Sequence, residues 1–312
     1  MTQKTVYVTL SEFCKNDDRP RKLLQEAGFI VKENTTGRRI KREEMMDALK
    51  TADGVLAAVE PYDAELLSQL PQLKCISRCG IGTDAIDLEA AKKYGKGVLV
   101  TVDEIVEPVA QMALAMILAL ARNFVPHIHD FKEGSWKKQT GFSMSELTVG
   151  LIGFGRIAKQ LAKYLQPLGS PILVCDPFLK RGDFPTGIAP VDLDTLLSRS
   201  DLVSIHAARS AKEGVLLGAN EFSKMKRGSF LVNTARGYMV GETALEEALK
   251  SGHLAGAALD VFEEEPYKGS LAKLPNVLCT PHVGTLTRGS RVAMELRCAR
   301  NVVDFFSRME NR

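Results

Sequence analysis

Three side chains of complementary chemistry stand just past short apolar runs in the second half of the chain. Arg236 follows "FLVNTA", Glu265 follows "AALDVFEE" and His282 follows "NVLCTP". A guanidinium offers paired N–H donors that fit a carboxylate and polarise a carbonyl. An imidazole, with an unperturbed pKa of about 6.5, exchanges protons near neutrality. A carboxylate beside that ring favours its protonated form. A clamp, a proton carrier and a tuning acid together suit proton transfer at a carbon–oxygen centre next to a carboxylate.

A second motif lies upstream. "TVGLIGFGRIAKQLAKYL" sets Gly153-x-Gly155-x-x-Ala158 between a β-branched run and an apolar-periodic segment. Gly153 permits a tight turn, Gly155 lets backbone approach a pyrophosphate, and Ala158 allows close helix–strand packing. The N–H groups near Arg156 and Ile157, at the positive end of the helix, favour an anion. The next apolar run ends "LVCDP", and Asp176 lies 23 positions after Gly153. That spacing suits the acid that bonds the ribose hydroxyls of NAD. Lys180 and Arg181 follow closely enough to meet a 2′-phosphate, which leaves NADP open beside NAD. His206, at the end of "DLVSIH", is placed to line the same groove. Next to a dinucleotide turn, the three-residue set reads as hydride transfer between a nicotinamide and a small 2-keto or 2-hydroxy acid.

These residues need elements to bring them together. Short β-branched runs alternate with helix-period segments almost throughout, which predicts an α/β architecture with parallel sheets. In the first third, "VYVTL", "GVLAAV" and "KCISR" read as strands, and "RPRKLLQEAG" as a helix stopped by Gly28. From Thr148 a second series runs "TVGLIG", "PILVCD", "DLVSIH", "SFLVNT", "AGAALDV" and "NVLCT". Ligands of open α/β sheets gather outside the carboxyl ends of the strands, so Arg236, Glu265 and His282 are expected to converge there. "EPVAQMALAMILALAR" is apolar all round, so it requires cover from a second domain or another subunit. "SRVAMELRCARNVVDFFSRM" reads as a long amphipathic helix.

Composition sets limits. A chain of 312 residues favours two domains. The net charge of +3 and the scattered basic residues give no footprint for nucleic acid. The N-terminus lacks a basic and apolar leader pattern. The longest uninterrupted apolar run, Met112 to Ala121, has ten residues against the roughly 20 of a membrane span, so no membrane partner is expected. Six cysteines without CxxC spacing indicate reduced thiols, no metal site and a cytoplasmic location.

The chain resembles the NAD-dependent D-isomer-specific 2-hydroxyacid dehydrogenases over essentially its whole length. "VGLIGFGRIA", "LVNTARG", "LDVFEEEP" and "TPHVG" are similar to that family's signatures in order and spacing. The resemblance implies a Rossmann NAD-binding domain, residues 100–286, inserted into a discontinuous flavodoxin-like substrate domain of residues 1–99 and 287–312. It implies Arg236 as the substrate clamp, Glu265 as partner of the catalytic histidine, and His282 as general acid/base. Asp260 is implied at the nicotinamide carboxamide, with Thr234, Ala235 and Gly284 lining the cofactor site. "SRCGIGTDAID" resembles the loop whose amides bind the substrate carboxylate, around Ile81 and Gly82, a role that a Gly-x-Gly turn suits. Arg78 at its start is a candidate for a substrate phosphate. Relatives are homodimers joined partly through the helix matching 106–121. The chain departs from the family at Ile105-Val106, Gln111 and Ala208, and "LAAVEPYDAELL" lacks the arginine of one phosphoglycerate dehydrogenase subgroup. The substrates implied are glyoxylate, hydroxypyruvate or 3-phosphohydroxypyruvate. Two rival functions share the fold, a dinucleotide-sensing corepressor and a phosphite dehydrogenase.

Overall fold

A computed structural model describes residues 3–180, 184–208 and 211–310. Arg181, named above as a candidate contact to a 2′-phosphate, lies outside them. The chain runs β1 (Thr5–Val8), α1 (Arg19–Glu26), β2 (Ile30–Glu33), α2 (Arg42–Leu49), β3 (Gly54–Ala57), α3 (Ala64–Ser68), β4 (Cys75–Arg78), α4 (Leu88–Lys93) and β5 (Gly97–Val100). It continues through α5 (Val106–Ala121), α6 (Phe124–Lys132), β6 (Val149–Ile152), α7 (Arg156–Leu165), β7 (Ile172–Cys175), β8 (Ile188–Pro190) and α8 (Leu193–Arg199). The remainder is β9 (Leu202–Ile205), α9 (Ala219–Lys224), β10 (Ser229–Asn233), α10 (Glu242–Lys250), β11 (Leu254–Leu259), β12 (Val277–Cys279) and α11 (Arg288–Glu310).

Contacts divide the chain into two compact units, Met1–Ile105 with Thr285–Arg312, and Val106–Gly284. The first holds a five-stranded sheet of order β2-β1-β3-β4-β5, with every pair parallel. That is the flavodoxin-like order. Its central strand β3 is buried at all four positions, as a strand covered on both faces must be. Asp63 and Asp87 begin α3 and α4 by accepting from the N–H groups of Leu66 and Ala90. Gly28 ends the first helix in the left-handed region, at φ +86°. α11 packs on β3, β4 and β5 within this unit.

The second unit holds a seven-stranded sheet of order β12-β11-β10-β9-β6-β7-β8, again parallel throughout. Reading outward from β6, this is the Rossmann order with one further strand. The order reverses between β6 and β9, and the crevice at the carboxyl ends of those two strands is where the Gly153 turn emerges. One face buries Val149, Leu151, Val174, Leu202 and Val232 against α5 and α7. The other buries Ile152, Leu173, Val203, Ile205 and Leu231 against α8, α9 and α10. The helical stretch Asp103–Ala121 is long and apolar enough to cross a membrane, with mean hydropathy 1.6, yet half of it is buried in this structure. Within the second unit α5 packs on α7, β10 and β11. The six cysteines are all free thiols.

Candidate active site

All strands of the second sheet are parallel, so their carboxyl ends share one edge, and the loops carrying the sequence motifs leave from it. β6 delivers the glycine turn. Gly153 has φ +86°, and a Cβ there would come within 2.7 Å of the Ala207 backbone, so both conformation and crowding demand glycine. Gly155 differs, because a Cβ built on it meets nothing within 4 Å. The open space there, at the amino end of α7, is what a phosphate group would need. Arg156 is exposed and Ile157 half-buried in the first turn of that helix, while Ala158 is fully buried against the sheet.

Asp176 follows β7. Its carboxylate accepts from the N–H of Phe154 at 2.8 Å and of Phe178 at 2.9 Å, which ties it to the glycine turn. Beside it lies a cavity of about 360 Å³ lined by Val174, Asp176, Leu179, Phe184, Pro190 and Thr195 among others. Apolar side chains with two acids, Asp176 and Asp192, among them suit the adenosine half of a dinucleotide. Lys180 is exposed on the following turn. Thr234, past β10, has a buried hydroxyl without a hydrogen-bond partner among the described residues. The open glycine turn, the cavity and this orphaned hydroxyl all fit NAD. His206, past β9, is half-buried with Nε2 2.8 Å from Ser204 Oγ, and burial pushes its pKa down to about 4.

The reactive pair comes from the loops after β11 and β12. His282 Nδ1 lies 2.8 Å from Glu265 Oε2, with both side chains open to solvent. Glu265 is fixed from behind, since its Oε1 accepts from Phe262 N at 3.2 Å. The Phe262 ring stacks on Tyr267 at 4.0 Å, and Glu242 at the start of α10 accepts from Glu263 N. His282 has φ +52°, uncommon for a side chain of its size. Asp260, expected at the carboxamide, is 1% exposed, and its carboxylate accepts from Thr280 Oγ1, Val283 N and Gly284 N. In this structure it ties down the 280–284 loop that carries His282. A Cβ on Gly284 would stand 2.9 Å from Asp260 Oδ2, which accounts for the glycine there.

Arg236 is half-buried and donates to the Ala235 carbonyl. Its turn is braced by Asn233, fully buried, which accepts from Ala235 N and donates to the Arg236 carbonyl. Gly237 seals the geometry. A Cβ there would fall 1.8 Å from the Phe262 carbonyl carbon, so the Arg236 turn rests directly on the backbone leading to Glu265. Sequence reasoning passed over Asn233, Gly237, Ser204 and Glu242. The visible signal for Asn233 was an amide closing an otherwise apolar strand.

In the first unit, Arg78 turns its guanidinium back onto its own loop, donating to the Cys79 carbonyl and lying over Gly80. Gly80 N donates to the Arg78 carbonyl, whereas Ile81 N and Gly82 N make no hydrogen bond to a described residue. Ile81 is exposed and Gly82 half-buried.

Comparison with known proteins decides the class. Residues 114–284 match the family described as D-isomer specific 2-hydroxyacid dehydrogenase, NAD binding domain. The chain belongs to the D-isomer-specific 2-hydroxyacid dehydrogenases. It is 36% identical to the glyoxylate reductase of Thermococcus litoralis, covering 85% of this chain and 83% of that one. It is also 36% identical to the hydroxypyruvate reductase of Thermotoga maritima, covering 84% and 88%. Against the D-3-phosphoglycerate dehydrogenase of Archaeoglobus fulgidus it is 36% identical but spans only 51% of that protein. The crystal structure of D-lactate dehydrogenase from Aquifex aeolicus, complexed with NAD and lactic acid, superposes with TM-score 0.84 at 28% identity, covering 97% and 96%. As a member of the family, this dehydrogenase is an NAD-dependent oxidoreductase of small 2-hydroxy and 2-keto acids.

Proposed function

We propose that this dehydrogenase reduces a small unphosphorylated 2-keto acid, glyoxylate or hydroxypyruvate, with Arg236, Glu265 and His282 as its reactive set. The observation that carries the assignment is the 2.8 Å pairing of His282 with Glu265 at the sheet edge that also bears the Gly153–Gly155 turn. Gly153, Gly155, Arg156, Ile157, Asp176, His206, Thr234, Ala235, Asp260 and Gly284 would hold NAD. When bound, its nicotinamide supplies the hydride for reduction and accepts it in oxidation.

Arg236 pairs with the substrate carboxylate and draws electron density from the carbonyl oxygen. Glu265 holds the imidazole by Nδ1, leaving Nε2 to carry the transferable proton. His282 gives that proton to the oxygen as negative charge develops, and takes it back in the oxidative direction. In the first unit, the N–H groups of Ile81 and Gly82 are the donors we assign to the substrate carboxylate. The segment "LAAVEPYDAELL" lacks the arginine of one phosphoglycerate dehydrogenase subgroup, which favours a substrate without a phosphate.

A homodimer is the assembly we propose. α6 has no buried residue, and Phe124, Ile128 and Phe131 on it are exposed, as is Trp136 beyond it at 79%. On α5, Met112, Leu114 and Leu118 are only half-buried. These exposed apolar side chains on neighbouring helices support a second copy of the chain as the partner. The free thiols fit a cytoplasmic location.

The decisive experiment follows NADH consumption with glyoxylate, hydroxypyruvate, pyruvate and 3-phosphohydroxypyruvate. Arg236→Ala and His282→Ala are expected to lose about 10²- to 10⁴-fold in turnover while still binding NADH. Absence of NADH oxidation with every keto acid would overturn the assignment, and a preference for the phosphorylated acid would overturn the substrate. Light scattering that finds a monomer would remove the dimer.

A further inference from the structure

Ser204 and His206 stand two residues apart on and just beyond β9, so their side chains leave the same face of the sheet. Ser204 is completely buried. Its neighbours across the sheet are Leu151 on β6 and Val232 on β10, both apolar and both buried. Among the described residues, the Ser204 hydroxyl makes one hydrogen bond, to His206 Nε2 at 2.8 Å.

A single contact of this kind admits two proton arrangements. If the ring donated from Nε2, the serine hydrogen would be sealed in an apolar layer with no acceptor, at the full desolvation cost of a buried donor. If the hydroxyl donates, Nε2 becomes an acceptor and the proton of the neutral ring is forced onto Nδ1. The second arrangement satisfies both groups. Burial keeps the ring uncharged at neutral pH. Nδ1 itself makes no hydrogen bond to a described residue.

The ring also stands in a useful place. His206 N donates to the Ile152 carbonyl at 2.7 Å, immediately before the glycine turn. A Cβ on Gly153 would lie 2.8 Å from the His206 carbonyl carbon. The side chain therefore rises from the rim of that turn, at the point where the strand order reverses and α/β sheets take their ligands.

We propose that Ser204 sets the tautomer of His206, making Nδ1–H a fixed, uncharged donor to an oxygen of the dinucleotide's ribose–diphosphate portion. Ser204 is then a positioning residue that touches no ligand and acts through the ring. The inference rests on the Gly153–Gly155 turn being the NAD cradle, and the test separates the two claims.

Nitrogen NMR of the ligand-free protein reads the tautomer directly. The expected spectrum shows His206 protonated at Nδ1 with Nε2 bare, and a shift of population toward Nε2–H in Ser204→Ala. An Nε2–H ring in the wild type would overturn the proposal without any reference to cofactor. NADH affinity, read by fluorescence titration, supplies the second arm. His206→Ala is expected to weaken binding about tenfold, the loss of one hydrogen bond to a charged or polar acceptor. His206→Asn, whose amide N–H stands near the place of Nδ1, is expected to restore affinity to within about threefold of wild type. Equal affinity in His206→Ala and wild type would overturn the assigned role. Failure of the wild type to bind NADH would instead remove the cradle, leaving the tautomer to the spectrum.

Discussion

Gly237→Ala tests whether the Arg236 turn and the Glu265 segment form one unit. The added methyl carbon would sit 1.8 Å from the Phe262 carbonyl carbon, 2.0 Å from its oxygen and 2.3 Å from Glu263 N. These are backbone atoms, so no side-chain rotation relieves the overlap. Ordinary carbon–carbon contact begins at about 3.5 Å, so the two segments must part by roughly 1.7 Å. Overpacking of this kind costs on the order of 1–3 kcal/mol. That corresponds to a fall in Tm of several degrees for a domain of this size. The effect on chemistry should be larger in proportion. The displaced segments carry the guanidinium on one side and the carboxylate that holds His282 on the other, and a shift of about 1 Å can cost about 100-fold. We expect kcat/KM for the best keto acid to fall about 100-fold or more. NADH affinity should fall less than kcat/KM, because Thr234 and Ala235 lie on the displaced turn while the glycine turn after β6 is untouched. Steady-state NADH oxidation, fluorescence titration and thermal unfolding measure the three quantities. A folded variant with kcat/KM within about threefold of wild type would refute the idea that Gly237 sets the spacing of the reactive groups.

The two cradle glycines should respond in opposite ways. Gly155→Val is expected to leave Tm nearly unchanged and weaken NADH binding more than about tenfold, whereas Gly153→Ala should destabilise the fold itself by about 1–3 kcal/mol. A stable Gly155→Val that binds NADH normally would show that the open space is not used. Asp260→Asn keeps one acceptor oxygen where three donors need two, so unfolding free energy should drop by about 1–3 kcal/mol and turnover with it. Unchanged turnover would mean the 280–284 loop holds His282 without Asp260. The pKa of His206 is about 4 in the folded chain against about 6.5 when unfolded, so the unfolded chain binds more protons between these values. Stability should therefore be lost as pH falls from about 6.5 to 4, by about 3 kcal/mol in total. His206→Asn should lack that component, and parallel stability curves for the two proteins over this range would show the ring is not desolvated.

The sequence was legible where a local rule decides. The interior strands β3, β6, β9, β10 and β11 fall within mostly apolar runs, because burial on both faces leaves little room for polar alternation. The Gly-x-Gly-x-x-Ala turn was legible because its backbone geometry excludes other residues. Edge strands were harder. β2 reads "IVKE" with alternating exposure, and β8 has three residues ending in proline, so neither carries a strong periodic signal. α5 announced itself as needing cover on several sides, but only tertiary packing shows which face meets α7 and which stays open.

The sequence alone determined residue types, their order, and the local geometry that glycine and aspartate impose. It marked Arg236, Glu265 and His282 as chemically matched and Asp176 as the ribose acid. It could not say what holds them, because hydrogen bonds between distant segments leave no local signature. Packing decided that Asp260 anchors the histidine loop, that Gly237 rests on the Phe262 backbone, and that Ser204 has an imidazole as its hydrogen-bond partner. Those roles depend on which atoms are left facing each other once the sheet excludes water, and that is settled only when parallel strands far apart in the chain lie side by side.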